Sequence, residues 1–446
     1  MQLPWVMSII SNLGVRAYYR VTVSGARVPA EGPVLLVANH NNSLVDPALV
    51  VCAADRTVRF LAKWPLFTDR FIGWLVKGVG SVPVYRQQDD RSKLSQNLDS
   101  FRDVHAVLAA GHAIGIFPEG VSHSSSQLAP LKTGAARIAI GAGHRIGRDF
   151  PIVALGLVFR DRNVFRSEAH VIISELFPWD ELVGKDINDR DAVRELTRRI
   201  EAAMRSVTIN LEQWEDEPLV HAAADIWHAE LGAPEPDDAA IAMAKVERIA
   251  VAADALRALR SGSNDSWREV AAALEAHTRE LRRLGLTPRE LKGDVRVGEA
   301  VEWTVARIPL IVVLPVSIVG GALFWIPRRL TSRAADRMSA TEGDDTLVTY
   351  RVLVGAVVFL AWFLIVAAVI WTIAGVAWAL LSLVIQPTWA FAALAVGERR
   401  QHAWQAARRF FLSRRVRPHL EVLRENQREL ADRLHRLYER VTTATS

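Results

Sequence analysis

The stretch VLLVANHNNSLVDP, residues 34–47, combines an apolar strand pattern with polar residues that follow it directly. Its first five residues form an unbroken apolar run, which predicts a strand. His40 follows this run, at the strand end where ligands gather in open α/β sheets. Asp46 and Pro47 are a favourable start for a helix. A histidine with a nearby carboxylate can take a proton from an attacking hydroxyl group.

A second segment, IFPEGVSHSSSQLAPLKTGAARIAI at residues 116–140, supplies a glutamate, glycines and a lysine suited to holding a polar substrate. GSVPVYRQQD lies between the two segments at residues 80–89, and PIVALGLVF follows at residues 151–159. Alternating strand and helix patterns across this region predict an α/β domain, a mixed sheet flanked by helices. The stretch VTVSGARVPAEGPVLLVANH, residues 21–40, is expected to form two strands joined by a Gly/Pro turn. Further strands are expected at residues 58–62, 81–85, 113–117, 152–159 and 171–173, and helices at residues 47–54, 67–76, 94–110 and 134–142.

These four blocks, in this order, resemble the glycerolipid acyltransferase family, whose enzymes esterify glycerol-3-phosphate and lysophospholipids. The resemblance runs from about Gly25 to Pro178. Five residues separate His40 from Asp46 here, whereas the family's usual motif has four. This spacing, the NHNN start, FRS at residues 165–167 and the hydrophobic C-terminal region resemble a sub-branch with fungal-type glycerol-3-phosphate/dihydroxyacetone-phosphate acyltransferases.

The resemblance implies transfer of a fatty acyl group from acyl-CoA or acyl carrier protein to an alcohol. His40 is the predicted catalytic base, and Asp46 would hold its proton-bearing nitrogen. Thioesters are already activated, so we expect no metal and no cofactor beyond the acyl donor as co-substrate. Two alternatives stay open: a serine acyl-enzyme on Ser43 or Ser122, and a role for Asp46 as a helix cap alone.

A phosphate on the acceptor needs fixed cations and backbone donors. Arg86 and Lys132 are the predicted cations, Gly120 would let the backbone approach, and Glu119 would accept a hydrogen bond from a glycerol hydroxyl. The resemblance implies the same elements, because FPEG and the arginine after the VPV strand bind the acceptor in the family. Surface charge is the alternative for both cations. Further site candidates are Asn39, Ser122, Arg137 and Arg166.

Half of the 446 residues are hydrophobic, and the excess lies in residues 308–327 and 352–396. The first segment is about one bilayer crossing long and the second about two. Arginines flank both segments, which predicts a re-entrant or spanning segment plus a hairpin, in a multi-pass protein whose catalytic domain faces the cytoplasm. No pattern typical of a cleaved signal peptide opens the chain. The single cysteine, Cys52, excludes an intrachain disulfide.

The patterns divide the chain into five regions. Residues 1–22 are expected to form an interfacial amphipathic helix, 23–185 the α/β acyltransferase domain, 186–300 an α-helical region, 301–397 the membrane region and 398–446 a basic amphipathic tail. The tail is predicted to lie on the membrane or to pair with another chain as a homo-oligomer. The net charge of +5 favours anionic lipid and an acidic acyl donor as partners over nucleic acid.

The predicted acceptor is glycerol-3-phosphate, dihydroxyacetone phosphate or the 1-acyl product, since all three present the same phosphate. One competing function is acylation of another lysolipid or of an amino-acid-derived lipid. The other is a non-catalytic, lipid-binding membrane scaffold that keeps the fold. The scaffold hypothesis requires that the five-residue spacing between His40 and Asp46 move the aspartate away from the histidine.

Overall fold

The computed structural model describes residues 4–69, 73–85, 97–122, 128–208, 217–231, 264–292, 315, 318–340, 346–415 and 417–445. These residues form two compact units. The first contains those within Met1–Trp214 and Asp344–Thr349, and the second those within Glu215–Pro234, Val251–Gly343 and Tyr350–Ser446. Arg86 and residues 308–314, 316 and 317 of the predicted membrane segment 308–327 lie outside the described residues.

A mixed sheet flanked by helices forms the first unit, as the sequence predicts. Its strands are β1 (Arg20–Gly25), β2 (Val34–Ala38), β3 (Val58–Lys63), β4 (Val82–Val84), β5 (Ala113–Ile116), β6 (Ile152–Phe159) and β7 (Glu168–Ile173). The strand order is β1-β7-β6-β2-β5-β3-β4. Only the β6 and β7 pair is antiparallel among these strands.

The helices of this unit are α1 (Pro4–Tyr18), α2 (Val45–Ala54), α3 (Trp64–Thr68), α4 (Gly73–Gly78), α5 (Asn97–Ala109), α6 (Gly134–Ile146) and α7 (Arg190–Val207). The apolar run expected to form one helix at residues 67–76 instead contributes to two short helices, α3 and α4. Every residue of β2 and β6 is buried. Two-sided burial explains why their sequences are continuous apolar runs rather than alternating patterns.

Strands β1 and β2 are consecutive in sequence but are not neighbours in the sheet. β2 lies in the centre, between β5 and β6. β1 lies at one edge and pairs in parallel with β7. The sequence shows the Gly/Pro turn that separates the two strands, but the pairing depends on residues about 150 positions later.

Helix α7 packs in the first unit, although the sequence grouped it with the helical region that begins at residue 186. Its apolar face joins the core formed by the central strands and α6, through Ala192, Val193, Leu196, Ile200, Met204 and Val207. A Cβ added to Gly156 of β6 would lie 1.6 Å from the Val207 carbonyl oxygen. The end of α7 therefore lies directly against β6, and the α/β unit extends past the predicted boundary at residue 185.

Helix α1 has one packed side and one exposed apolar side. Val15 and Tyr18 are buried, while an apolar ridge is exposed, consisting of Trp5, Ile9, Ile10 and Leu13. The helix predicted within residues 1–22 therefore packs along one side and exposes apolar side chains along the other.

The second unit contains α8 (Glu217–Leu231), α9 (Asn264–Leu284), α10 (Pro288–Lys292), α11 (Trp325–Ser339), all of α12 (Leu347–Ala374) except its first three residues, α13 (Val376–Arg415) and α14 (Arg417–Thr445). Two of the described helices, Leu347–Ala374 and Val376–Gly397 within α13, are long and apolar enough to cross a membrane by length and composition. They coincide with the predicted hairpin at residues 352–396.

The C-terminal tail forms α14, and its apolar face is covered by the same chain. Leu420 and Leu423 pack on Leu281, Leu286 and Leu291. Leu430 and Leu434 are also buried. The sequence predicted that these leucines would face the membrane or another chain, but the described part of the tail buries them internally, because α9 and α10 supply complementary leucines.

Candidate active site

The site lies where two parallel neighbouring strands end. β2 and β5 pair from Val34 with Ala113 to Val37 with Ile116, so the residues that follow each strand meet at the same edge. Glu119 connects the two loops. One of its carboxylate oxygens accepts the His40 backbone N–H at 2.8 Å, and the other accepts the Ala129 backbone N–H at 2.8 Å. The loop after β5 thereby fixes the backbone at His40.

His40 and Asp46 are in direct contact. His40 Nδ1 lies 2.8 Å from Asp46 Oδ2, and the Asp46 side chain is fully buried while that of His40 is 20% exposed. Asp46 Oδ2 also accepts the Asn42 backbone N–H at 2.6 Å. The five-residue spacing therefore keeps the aspartate beside the histidine, because the intervening turn folds back on the Asp46 carboxylate.

The reading of Asp46 as a helix cap is wrong. Helix α2 begins at Val45, its N-cap is Leu44, and no side chain of the cap residue closes the helix end. Asp46 lies inside the first turn, where a negative charge is favoured by the helix dipole. Its carboxylate is directed to the preceding turn and to His40, which is the arrangement of an orienting group.

The His40 ring is held between its carboxylate and an aromatic wall. It stacks on Phe117, with ring centroids 4.2 Å apart and planes inclined by 17°. Phe60 lies behind Phe117 at 6.0 Å. With Nδ1 directed to Asp46, Nε2 is the nitrogen able to accept a proton, and the packed ring keeps it in one orientation.

Two further residues at the turn were missed by the sequence reasoning. Tyr19 accepts a hydrogen bond from the Asn42 side-chain amide at 2.9 Å and donates to the Arg162 carbonyl oxygen. Arg162 donates from its guanidinium to the Asn41 carbonyl oxygen at 2.9 Å. Burial raises the pKa of the Tyr19 hydroxyl far above its ordinary value, so it stays neutral. No local sequence pattern marks either residue, because their partners are more than twenty positions away.

Gly120 and Lys132 lie together beside the Glu119 loop. Gly120 has a positive φ of 75°, and a Cβ added there would lie 2.4 Å from Lys132 Nζ. Lys132 is exposed, and its backbone N–H donates to the Pro118 carbonyl oxygen at 2.8 Å. The absence of a side chain at Gly120 therefore lets the ammonium group lie over the FPEG backbone.

The remaining candidates have varied positions. Asn39 is buried and exchanges two hydrogen bonds with the Leu157 backbone, which connects β2 to β6. Ser122 Oγ accepts the Ser43 backbone N–H at 3.2 Å. Arg137 donates to the Ile187 carbonyl oxygen, away from the His40 loop, and Arg166 donates to the Arg16 carbonyl oxygen at 2.8 Å. Only Ser122 of these four contacts the turn between His40 and Asp46.

Glu119 makes backbone contacts that the sequence did not predict. It was expected to accept a hydrogen bond from a substrate hydroxyl, but it is only 2% exposed and both its oxygens bind backbone N–H groups. Its position fits a group that holds the two loops together. Within the described ranges, no cluster of three His, Cys, Asp or Glu side chains could hold a metal ion.

Comparison with known proteins identifies the class of this domain. The acyltransferase family model matches residues 20–158. The chain is 32% identical over 137 residues to glycerol-3-phosphate O-acyltransferase 2 of Saccharomyces cerevisiae, covering 29% of this chain and 18% of that protein. It is 34% identical over 141 residues to a 1-acyl-sn-glycerol-3-phosphate acyltransferase of Chlamydomonas reinhardtii, covering 31% of this chain and 40% of that protein.

The chain thus spans less than half the length of these two relatives. Among solved structures, the 1-acyl-sn-glycerophosphate acyltransferase of Thermotoga maritima matches at 20% identity with a TM-score of 0.33, covering 46% of this chain and 78% of that one. Residues 20–158 are an acyltransferase domain, and the chain is similar to glycerolipid acyltransferases.

Proposed function

We propose that the protein is a membrane-bound O-acyltransferase of phospholipid synthesis. It transfers a fatty acyl group from acyl-CoA or acyl carrier protein to a hydroxyl of glycerol-3-phosphate or 1-acyl-glycerol-3-phosphate. The observation that carries the proposal is the contact of His40 Nδ1 with the buried Asp46 carboxylate, in the family's motif and at the sheet edge. The match to relatives named for these two acceptors supports the substrate class.

The proposed reaction is one displacement at the thioester carbonyl. His40 Nε2 takes the proton of the acceptor hydroxyl as its oxygen attacks the acyl carbon, and Asp46 stabilises the imidazolium that forms. The carbon–sulfur bond then breaks, and the imidazolium returns the proton to the leaving thiolate. Neither Ser43 nor Ser122 hydrogen-bonds to His40 in the part of the chain described, so direct attack is favoured over a serine acyl-enzyme.

Lys132 is the proposed cation for the acceptor phosphate among the described residues. Its ammonium group lies over Gly120, one residue after the glutamate that fixes the His40 backbone. An exposed ammonium in this position can meet a phosphate without the cost of leaving a buried charge unpaired. Arg86 is the second proposed cation, from the block after β4.

Membrane attachment is part of the proposal. Helices Leu347–Ala374 and Val376–Gly397 would form a hairpin across the bilayer, and the exposed ridge of α1 would lie in the interface. The arginines that flank the hairpin support a cytoplasmic position for the catalytic domain. A fatty acyl donor partitions into that interface, which explains why the enzyme would be attached there.

The alternatives differ in acceptor or in chemistry. An acyltransferase for another lysolipid would keep His40 and Asp46 but depend less on Lys132. The longer spacing was the only observation in favour of a non-catalytic scaffold. It no longer favours that alternative, because His40 Nδ1 lies 2.8 Å from Asp46 Oδ2.

The test is acyl transfer by the purified, detergent-solubilised protein from palmitoyl-CoA to glycerol-3-phosphate and, in parallel, to 1-acyl-glycerol-3-phosphate. His40→Ala should abolish product, while His144→Ala, at an exposed histidine of α6, should leave it unchanged. If product forms with only one of the two acceptors, that acceptor identifies which acylation the protein catalyses. Equal product from wild type and His40→Ala would refute the mechanism, and no product with either acceptor would refute the proposed substrates.

Lys132 can be tested in the same assay. Lys132→Ala should raise the KM for the phosphorylated acceptor and leave the KM for palmitoyl-CoA unchanged. Lys185→Ala, at another exposed lysine of the first unit, is the matched control. An unchanged acceptor KM in Lys132→Ala would exclude Lys132 from the phosphate site.

A further inference from the structure

The turn between His40 and Asp46 contains a strained residue. Ser43 has a φ of +43°, one of three non-glycine residues with positive φ in the described ranges. Such a conformation is unfavourable for a residue with a side chain and persists only where surrounding contacts enforce it. Contacts that hold this turn therefore determine the position of the catalytic pair.

Two side chains outside the turn accept backbone N–H groups within it. Ser122 Oγ accepts from Ser43 at 3.2 Å, and Thr349 Oγ1 accepts from Leu44 at 3.2 Å. Thr349 is only 4% exposed and lies in the segment Asp344–Thr349, which belongs to the first unit. It follows Leu44 by 305 positions. The domain matched by the family ends at residue 158, so this contact comes from outside it.

The sequence of α2 explains why an outside acceptor is needed. Leu44 is the N-cap of α2, and in a capping box the N-cap N–H is accepted by a glutamate or glutamine at the third helical position. That position is Pro47, which has no side-chain acceptor. The partly buried Leu44 N–H donates to the Thr349 hydroxyl, and the structure shows no other acceptor for it among the described residues. Loss of this acceptor removes a hydrogen bond at the start of α2.

We propose that Thr349 is a positioning residue for the catalytic pair: its hydroxyl completes the cap of the helix that carries Asp46. The proposal rests on the acyltransferase function proposed above. Thr349 touches no substrate and acts through Leu44, which stands two residues before Asp46. Its loss frees the start of α2 and lets the Asp46 carboxylate move relative to His40.

The test compares Thr349→Val with Thr349→Ser in the full chain. Valine keeps the shape and removes the acceptor, whereas serine keeps the hydroxyl. Thr349→Val should lower kcat by about tenfold, the effect of one unsatisfied donor on the barrier, with the KM of both substrates unchanged. Thr349→Ser should restore kcat. Thr372→Val is the matched control in the same helix, since the Thr372 hydroxyl donates to the Val369 carbonyl oxygen of its own helix.

A second measurement does not depend on activity. Hydrogen–deuterium exchange of the Leu44 amide should be faster in Thr349→Val than in wild type and unchanged in Thr372→Val. Unchanged exchange, an unaltered kcat in Thr349→Val, or a Thr349→Ser enzyme as slow as Thr349→Val would each overturn the proposal. Suppose that the wild-type protein transfers no acyl group but the Leu44 amide still exchanges faster in Thr349→Val. The proposed acyltransferase function would then be refuted, while the contact of Thr349 with Leu44 would be supported.

Discussion

Asp46→Asn isolates the charge of the carboxylate that orients His40. Asp46 Oδ2 receives two donors, the His40 ring N–H at Nδ1 and the Asn42 backbone N–H at 2.6 Å. An asparagine must place its oxygen, not its NH₂ group, at that point, because both neighbours donate. The ring therefore keeps the tautomer with Nε2 free, and only the negative charge is lost.

The expected magnitude follows from that geometry. A hydrogen bond to a charged group contributes about 1.5–3 kcal/mol and a neutral one about 0.5–1.5 kcal/mol, so loss of the charge alone costs about 1–1.5 kcal/mol. At about 1.4 kcal/mol per factor of ten, this lowers kcat by roughly 5- to 12-fold. Loss of the base itself in His40→Ala should reach about 10²- to 10⁴-fold. Asp46→Asn should therefore fall between wild type and His40→Ala.

The assay is kcat at saturating palmitoyl-CoA and acceptor, with thermal unfolding of each variant in the same detergent. Asp55→Asn is the matched control, since Asp55 is exposed at the other end of α2 and asparagine tolerates its left-handed φ of 48°. Wild-type kcat in Asp46→Asn would refute the role of the charge. A loss confined to KM would refute the orienting mechanism in favour of a substrate contact.

Three further predictions concern the stability of the two units. Glu119→Gln places an amide NH₂ group opposite one of the two backbone N–H groups that Glu119 now accepts. The free energy of unfolding should therefore fall by about 1–3 kcal/mol, and kcat should fall as well. Glu175→Gln, at an exposed glutamate, should change neither. Gly156→Ala should destabilise by about 3 kcal/mol, measured by thermal unfolding, because the new methyl group meets backbone that cannot move aside. Burial lowers the pKa of His277 below 6.5, so the unfolded chain takes up a proton that the folded chain does not, and stability falls as the pH drops below about 6.5. His277→Gln should reduce that acid-induced loss of melting temperature, and an identical loss in both proteins would contradict the prediction.

The strands of the sheet were predictable because they are continuous apolar runs. β6 was predicted with its observed bounds, Ile152–Phe159, and β3 and β5 within one residue at one end. Burial on both faces gives these strands a strong composition signal. Strands were also expected at β1 and at residues 171–173, which lie within β7, but the pairing of β1 with β7 was not predicted. Pairing joins residues far apart in the chain, and local composition does not encode it.

The association of His40 with Asp46 was also predictable, and the contacts that support it were not. A histidine at a strand end and an aspartate at a helix start are both visible in the motif, and the structure places them in contact. The role of Glu119 was missed because a substrate contact and a backbone contact require the same residue type. The distinction depends on its 2% exposure, which arises only when the loop after β5 folds over β2.

Local chemistry in the amino-acid sequence determined the strands, the helix that carries Asp46, the residues able to move a proton and the apolar helices of the second unit. Each of these features depends on residues within one helix or strand, and the spacing of those residues can be read from the sequence. The tertiary structure determined the strand order, the packing of α7 on β6, the burial of the tail leucines and the hydrogen bond from the Leu44 N–H to the Thr349 hydroxyl. Those contacts join residues far apart in the chain, and they are selected by burial and hydrogen-bond satisfaction over the whole unit.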